Sequence, residues 1–126
     1  MHKSKLAGFI IDCQTTQLDA AADFWGSALG MPVRVLPLDE AQTYKRLEDL
    51  QHGLNIEVQS VSHASRVHLD IETDDIDAEV RRLEALGAKQ IGSVRTWRVM
   101  EAPTGQRFCV VRSSSADFAV KATPWP

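Results

Sequence analysis

One tripeptide occurs twice in this chain, and its two settings constrain the fold more than any other feature. Ala28-Leu29-Gly30 and Ala85-Leu86-Gly87 each close a stretch with apolar residues at helical spacing. Each stretch follows a strand-like run and precedes further strand-like runs. In the first copy Leu18, Ala21, Ala22, Trp25, Ala28 and Leu29 recur on one helical face, so a helix is expected over Leu18 to Leu29. Gly30 suits the left-handed position after a helix, and Pro32 blocks continuation. Thr16 and Asp19 have the spacing of a capping box. In the second copy Ile76, Val80, Leu83 and Leu86 form the stripe, Asp74 or Asp75 supplies the cap, and Gly87 closes the helix. The period is too long for a solenoid unit, and only two copies exist.

The strand-like runs complete the repeat. Leu6 to Cys13 precedes the first helix; Val33 to Leu38, Thr43 to Leu47 and Leu54 to Val61 follow it, the last after the turn Gln51-His52-Gly53. Arg66 to Glu72 precedes the second helix. Lys89 to Gly92, Thr96 to Glu101 and Arg107 to Arg112 follow, with Pro103-Thr104-Gly105 as the last turn. The expected class is α+β: two β-α-β-β-β modules, about 5–61 and 66–112, in a single domain whose mixed sheet curves around a cleft. The tail, 113–126, is expected to be mobile or docked only through Trp125.

Bulk properties narrow the function. The 126 residues suit one domain, and 44% apolar with 25% charged residues is ordinary globular composition. The net charge of −3 is interspersed, which gives nucleic acid no basic stripe to bind. No apolar run approaches the roughly 20 residues a membrane helix needs, and the first run is too short for a signal peptide. Cys13 and Cys109 lack partners at metal-motif spacing and are expected as reduced, buried thiols. A cytoplasmic protein is expected. Sheet edges that need cover make a homodimer the expected assembly. The charged group Glu79, Arg81, Arg82 and Glu84 reads as a solvated helix face.

Several segments, in order, resemble the vicinal oxygen chelate superfamily and its glyoxalase-like and bleomycin-resistance group. They are Phe24-Trp25-Gly26-Ser27-Ala28-Leu29-Gly30, Arg66-Val67-His68-Leu69-Asp70-Ile71-Glu72, Arg82-Leu83-Glu84-Ala85-Leu86-Gly87-Ala88, and Ala102-Pro103-Thr104-Gly105 with the strand after it. The likeness covers about residues 5 to 112. It implies a glyoxalase fold. In metal-dependent members it implies a His or Gln on the first strand of each module and a Glu on the last strand of each. Carried over, those positions fall on Gly8, His68, Glu57 (or Gln59) and Cys109. Gly8 offers no ligand atom, and a thiol stands where a carboxylate belongs.

Strand parity sorts the remaining candidates. Asn55, Glu57 and Gln59 share one face of their strand, and His68 with Asp70 one face of theirs; Leu54, Ile56, Val58, Val67, Leu69 and Ile71 should pack under the helices. The polar set, with Cys109, should line the cleft, with Trp97 or Phe9 as an apolar wall. No His or Lys neighbours Cys109 in sequence to activate it. The expected function is binding of a small organic molecule without a cofactor, the metal site being degenerate. The alternative is a lyase, isomerase or dioxygenase-like enzyme acting on a small oxygenated substrate, with His68 and Glu57 as metal ligands or as acid and base.

Overall fold

A computed structural model of the chain describes residues 1–37 and 43–126. Leu38, the expected end of one strand, lies outside the described residues. The contacts form two compact units, residues 8–67 and residues 1–7 with 68–126. Each unit carries one module.

In the first module the strand β1 (His2–Gln14) contributes its residues from Gly8 onward. Helix α1 (Leu18–Leu29) has the expected bounds, with Gly30 at φ 68° behind it. Strands β2 (Val33–Val35), β3 (Tyr44–Glu48) and β4 (Asn55–Val61) follow. β1 runs parallel to β4, β4 antiparallel to β3, and β3 antiparallel to β2. Leu18 and Ala22 of α1 pack on Leu47, Ile56 and Val58, with Phe9, Trp25 and Leu54 around them. The capping box is absent: Gln17 is the cap residue and makes no side-chain cap bond. Thr15 instead accepts from the Gln17 N–H at 2.9 Å, so a local hydroxyl turn replaces the box.

The second module repeats the plan with β5 (Arg66–Thr73), α2 (Ile76–Ala85), β6 (Lys89–Val94), β7 (Trp97–Glu101) and β8 (Arg107–Arg112). β5 is parallel to β8, and β8, β7 and β6 are successively antiparallel. Asp75 caps α2 by accepting from the Ala78 N–H at 3.0 Å, while Asp74 accepts from the Lys3 N–H at 2.8 Å. Val80 and Leu83 pack on Ala88, Met100 and Val110, with Ile71 against them.

Three expectations need correction here. Leu69 and Val67 lie on the predicted parity, but they are 52% and 59% exposed, because α2 packs on β6, β7 and β8. The tail docks through more than Trp125. It forms α3 (Phe118–Lys121) with Phe118 buried, and β9 (Thr123–Trp125) pairs antiparallel with His2, Lys3 and Ser4. That pairing also explains why β1 starts earlier than its apolar run. Glu79, read as solvated, is fully buried: it accepts from Arg82 at 2.7 and 2.8 Å and is bonded to His2 Nε2 at 2.8 Å. Arg82 lies 3.9 Å over the Trp125 ring, whose N–H donates to Ser4 at 2.8 Å. The tail's indole thus screens an ion pair that the helix pattern places at the surface.

Candidate functional site

The second module's strands gather several candidate side chains on the face turned away from α2. Met100 and Val110 define the helix side, so their strand neighbours face the other way. Asp70 pairs in register with Cys109, and Cys109 with Val99, which puts these three side chains in one row across the strands. His68 stands two residues from Asp70 on the same face, and Trp97 two residues from Val99. Glu72 completes the β5 row, but the tail covers it: the Ser114 and Ser115 N–H groups donate to its carboxylate at 3.3 and 3.2 Å.

A ring nitrogen of His68, a carboxylate oxygen of Asp70 and the Cys109 thiol all lie within 4.8 Å of one another. Among the described residues they are the one such group of histidine, cysteine and acidic side chains that could hold a metal ion. His68 Nε2 is 3.6 Å from Asp70 Oδ1, an ion-pair distance longer than a hydrogen bond. Asp70 is buried, and His68 and Cys109 are half-buried. Parallel pairing of β5 with β8 supplies Cys109 with the histidine that its sequence neighbours lack. Both thiols in the chain are free and half-buried rather than fully buried.

The first module places its candidates on one face too. Asn55, Glu57 and Gln59 lie opposite the buried Ile56 and Val58. Asn55 Nδ2 donates to Glu57 Oε1 at 3.4 Å, and Gln59 Nε2 donates to the Tyr44 hydroxyl at 2.9 Å. Arg46 pairs in register with Glu57. Phe9 does not join this face: it pairs with Ile56 and packs on the α1 side, so its expected role as a wall is corrected. Tyr44 is the aromatic residue that sequence parity overlooked. Its signal was the strand alternation of β3, blurred by the two basic residues after it.

The register also tests the family's metal positions. Gly8 pairs with Asn55, and a Cβ at residue 8 would sit 1.9 Å from the Asn55 carbonyl oxygen. No side chain of any kind fits there without parting β1 from β4. The donors present therefore do not fit the family's hard-ion set of four nitrogen and oxygen ligands: one position is sterically closed and one carries sulfur.

With this geometry, the comparisons converge. Residues 8–111 match the glyoxalase-like domain family, and the chain belongs to that family, within the vicinal oxygen chelate superfamily. Solved structures share the fold at low identity. Methylmalonyl-CoA epimerase from Mycobacterium tuberculosis is 17% identical, with 91% of each chain covered and a TM-score of 0.60. A hypothetical protein from Bacillus halodurans C-125 is 15% identical, over 89% of this chain and 97% of that one, with a TM-score of 0.59. The 2,2',3-trihydroxybiphenyl 1,2-dioxygenase of Sphingomonas wittichii strain RW1 is 13% identical, over 90% of this chain and 42% of that one, with a TM-score of 0.58. No curated protein matches the chain. Among the described residues no helix is long and apolar enough to cross a membrane.

Proposed function

We propose that this glyoxalase-like domain binds a small organic molecule and does not retain the family's hard-ion chemistry. The observation that carries the reading is the closure at Gly8, where the Asn55 backbone occupies the space a ligand side chain needs. Without that donor the family's four-ligand set is incomplete, and that set cannot hold the Lewis acid that would stabilise a developing negative charge on substrate. What remains is chemistry suited to recognition. His68 and Asp70 offer hydrogen bonds, and Trp97 on the same face offers a flat apolar surface. Asn55, Glu57 and Gln59 are the first module's polar contribution. The reading includes a homodimer, for which the half-exposed Val67 and Leu69 supply apolar surface.

The test uses metal-free protein and a panel of flat, oxygen-bearing aromatics with catechol as the first probe. Calorimetry and Trp fluorescence should detect binding by at least one member. His68→Ala should keep the fold and weaken that binding about tenfold, the loss of one hydrogen bond to a charged or polar group. Trp97→Phe should remove the fluorescence response. Equal binding by His68→Ala, or no binding by any member, counts against the reading. Turnover of a bound member would favour the enzyme alternative.

A further inference from the structure

The three donors on the second module are the wrong set for a hard ion and a suitable set for a thiophilic one. We infer that His68, Asp70 and Cys109 form a site for a Zn²⁺-class divalent ion, built within the second module alone. This goes beyond the binding reading above and differs from the sequence expectation of no resident metal.

Donor chemistry is the first argument. Thiolate and imidazole select zinc and its soft neighbours over magnesium, calcium or manganese. Geometry is the second. Zinc bonds of about 2.0–2.3 Å to N, O and S in a tetrahedron put neighbouring donors about 3.4–3.6 Å apart. His68 Nε2 and Asp70 Oδ1 already stand at 3.6 Å, and the whole set lies within 4.8 Å. The remaining contraction of about 1 Å would fall to side-chain torsions. The third argument is support. Asp70 and Cys109 are register partners on paired strands, and His68 is two residues along from Asp70, so the sheet ladder fixes the spacing. Burial around Asp70 favours pairing its charge with a cation. His68, Asp70 and Cys109 would hold such an ion as three protein ligands, and it would supply Lewis acidity to a further, exchangeable ligand.

The first module lacks this donor set at the equivalent register positions. In the first module Gly8, Ile10 and Glu57 occupy the positions that His68, Asp70 and Cys109 hold in the second: Ile10 pairs with Glu57 as Asp70 pairs with Cys109. Two of the three first-module positions cannot ligate a metal. The second module pairs an acid with its thiol, and its three donors come from that module alone.

The experiment uses the full chain, reduced and stripped with a chelator, and adds metal alone. Zn²⁺ should bind at one per chain by calorimetry, unaffected by excess Mg²⁺. Co²⁺ should produce a thiolate-to-cobalt charge-transfer band. Cys109→Ser should abolish the band and weaken Zn²⁺ about 100-fold, Asp70→Asn should weaken it about 10-fold or more, and Cys13→Ser should change neither. In unmutated protein, Zn²⁺ should protect Cys109 from alkylation while leaving Cys13 reactivity unchanged, read by mass spectrometry; this arm needs no variant to fold. Absence of the band, its survival in Cys109→Ser, its loss in Cys13→Ser alone, or an unprotected Cys109 overturns the site. Because no organic ligand is added, failure here leaves the small-molecule reading to its own test.

Discussion

The two modules share a topology and differ at equivalent register positions. Across the paired strands the first reads Gly8, Ile10 and Glu57, and the second His68, Asp70 and Cys109. The first has packed its strands so tightly that one position excludes any side chain. The second carries an imidazole at the equivalent position. The helices differ in the same sense: α1 buries only Leu18, Ala22 and Gly26, whereas α2 buries a glutamate beside Val80 and Leu83. The two modules therefore share a scaffold while differing in the side chains at equivalent positions.

The sharpest way to break this comparison is to exchange its most unequal pair. Gly8→Ala should cost about 3 kcal/mol or more, or prevent folding, because its Cβ overlaps the Asn55 backbone. His68→Ala at the matching position should cost under about 1 kcal/mol in the metal-free protein, as a half-buried face residue. Urea denaturation of both variants measures the gap; a neutral Gly8→Ala would remove the steric argument.

The buried ion pair of α2 comes next. Glu79→Ala should cost about 3 kcal/mol, since Arg82 and His2 lose their shared partner. Burial alone would raise the Glu79 carboxyl. Hydrogen bonds from Arg82, His2 and Ser4, with the Arg82 charge, outweigh it and hold the group below its ordinary 4.5. A lowered folded value means stability that is present above about pH 4.5 and is lost as pH falls through the folded value. Glu79→Gln should therefore flatten the acid limb of the stability profile while Asp19→Asn, on the exposed side of α1, leaves it unchanged. An unaltered acid limb in Glu79→Gln would show that the pair does not set acid stability.

Smaller effects separate the helix sides of the two first strands. Phe9 and Leu69 are register equivalents, but Phe9 packs on the α1 core and Leu69 is 52% exposed. Phe9→Ala should cost about 3 kcal/mol at most, and Leu69→Ala under about 1 kcal/mol in stability. If the exposed strip is a dimer surface, Leu69→Ala should instead lower the mass seen by light scattering toward the 14.0 kDa monomer. A wild-type chain at 14.0 kDa at high concentration would count against the homodimer itself. The smallest contrast is capping: Asp75→Ala should cost about 1 kcal/mol, and Gln17→Ala close to none, because only Asp75 holds a helix N–H. Equal costs for the two would erase that difference between the helices.

Local pattern and local sterics determined much of this protein in advance. Helical spacing and a closing glycine placed α1 at Leu18–Leu29, and a short apolar run after the Pro103-Thr104-Gly105 turn placed β8 at Arg107–Arg112, because both signals are short-range. Parity put Asn55 with Glu57 and His68 with Asp70, since successive strand residues must face opposite ways. Tertiary structure decided what depends on distant partners. The thiol of Cys109 meets Asp70 only because β5 and β8 pair in that register, and Gly8 is closed only because β1 approaches β4 so nearly. Leu69 has an apolar side chain, yet α2 covers other strands. Glu79 lies on a helix pattern that reads as solvated, yet His2 and the tail's Trp125 close over it and Arg82. Burial is a property of what packs against a residue from elsewhere in the chain, and a strand's own alternation carries no record of which neighbour comes to cover it.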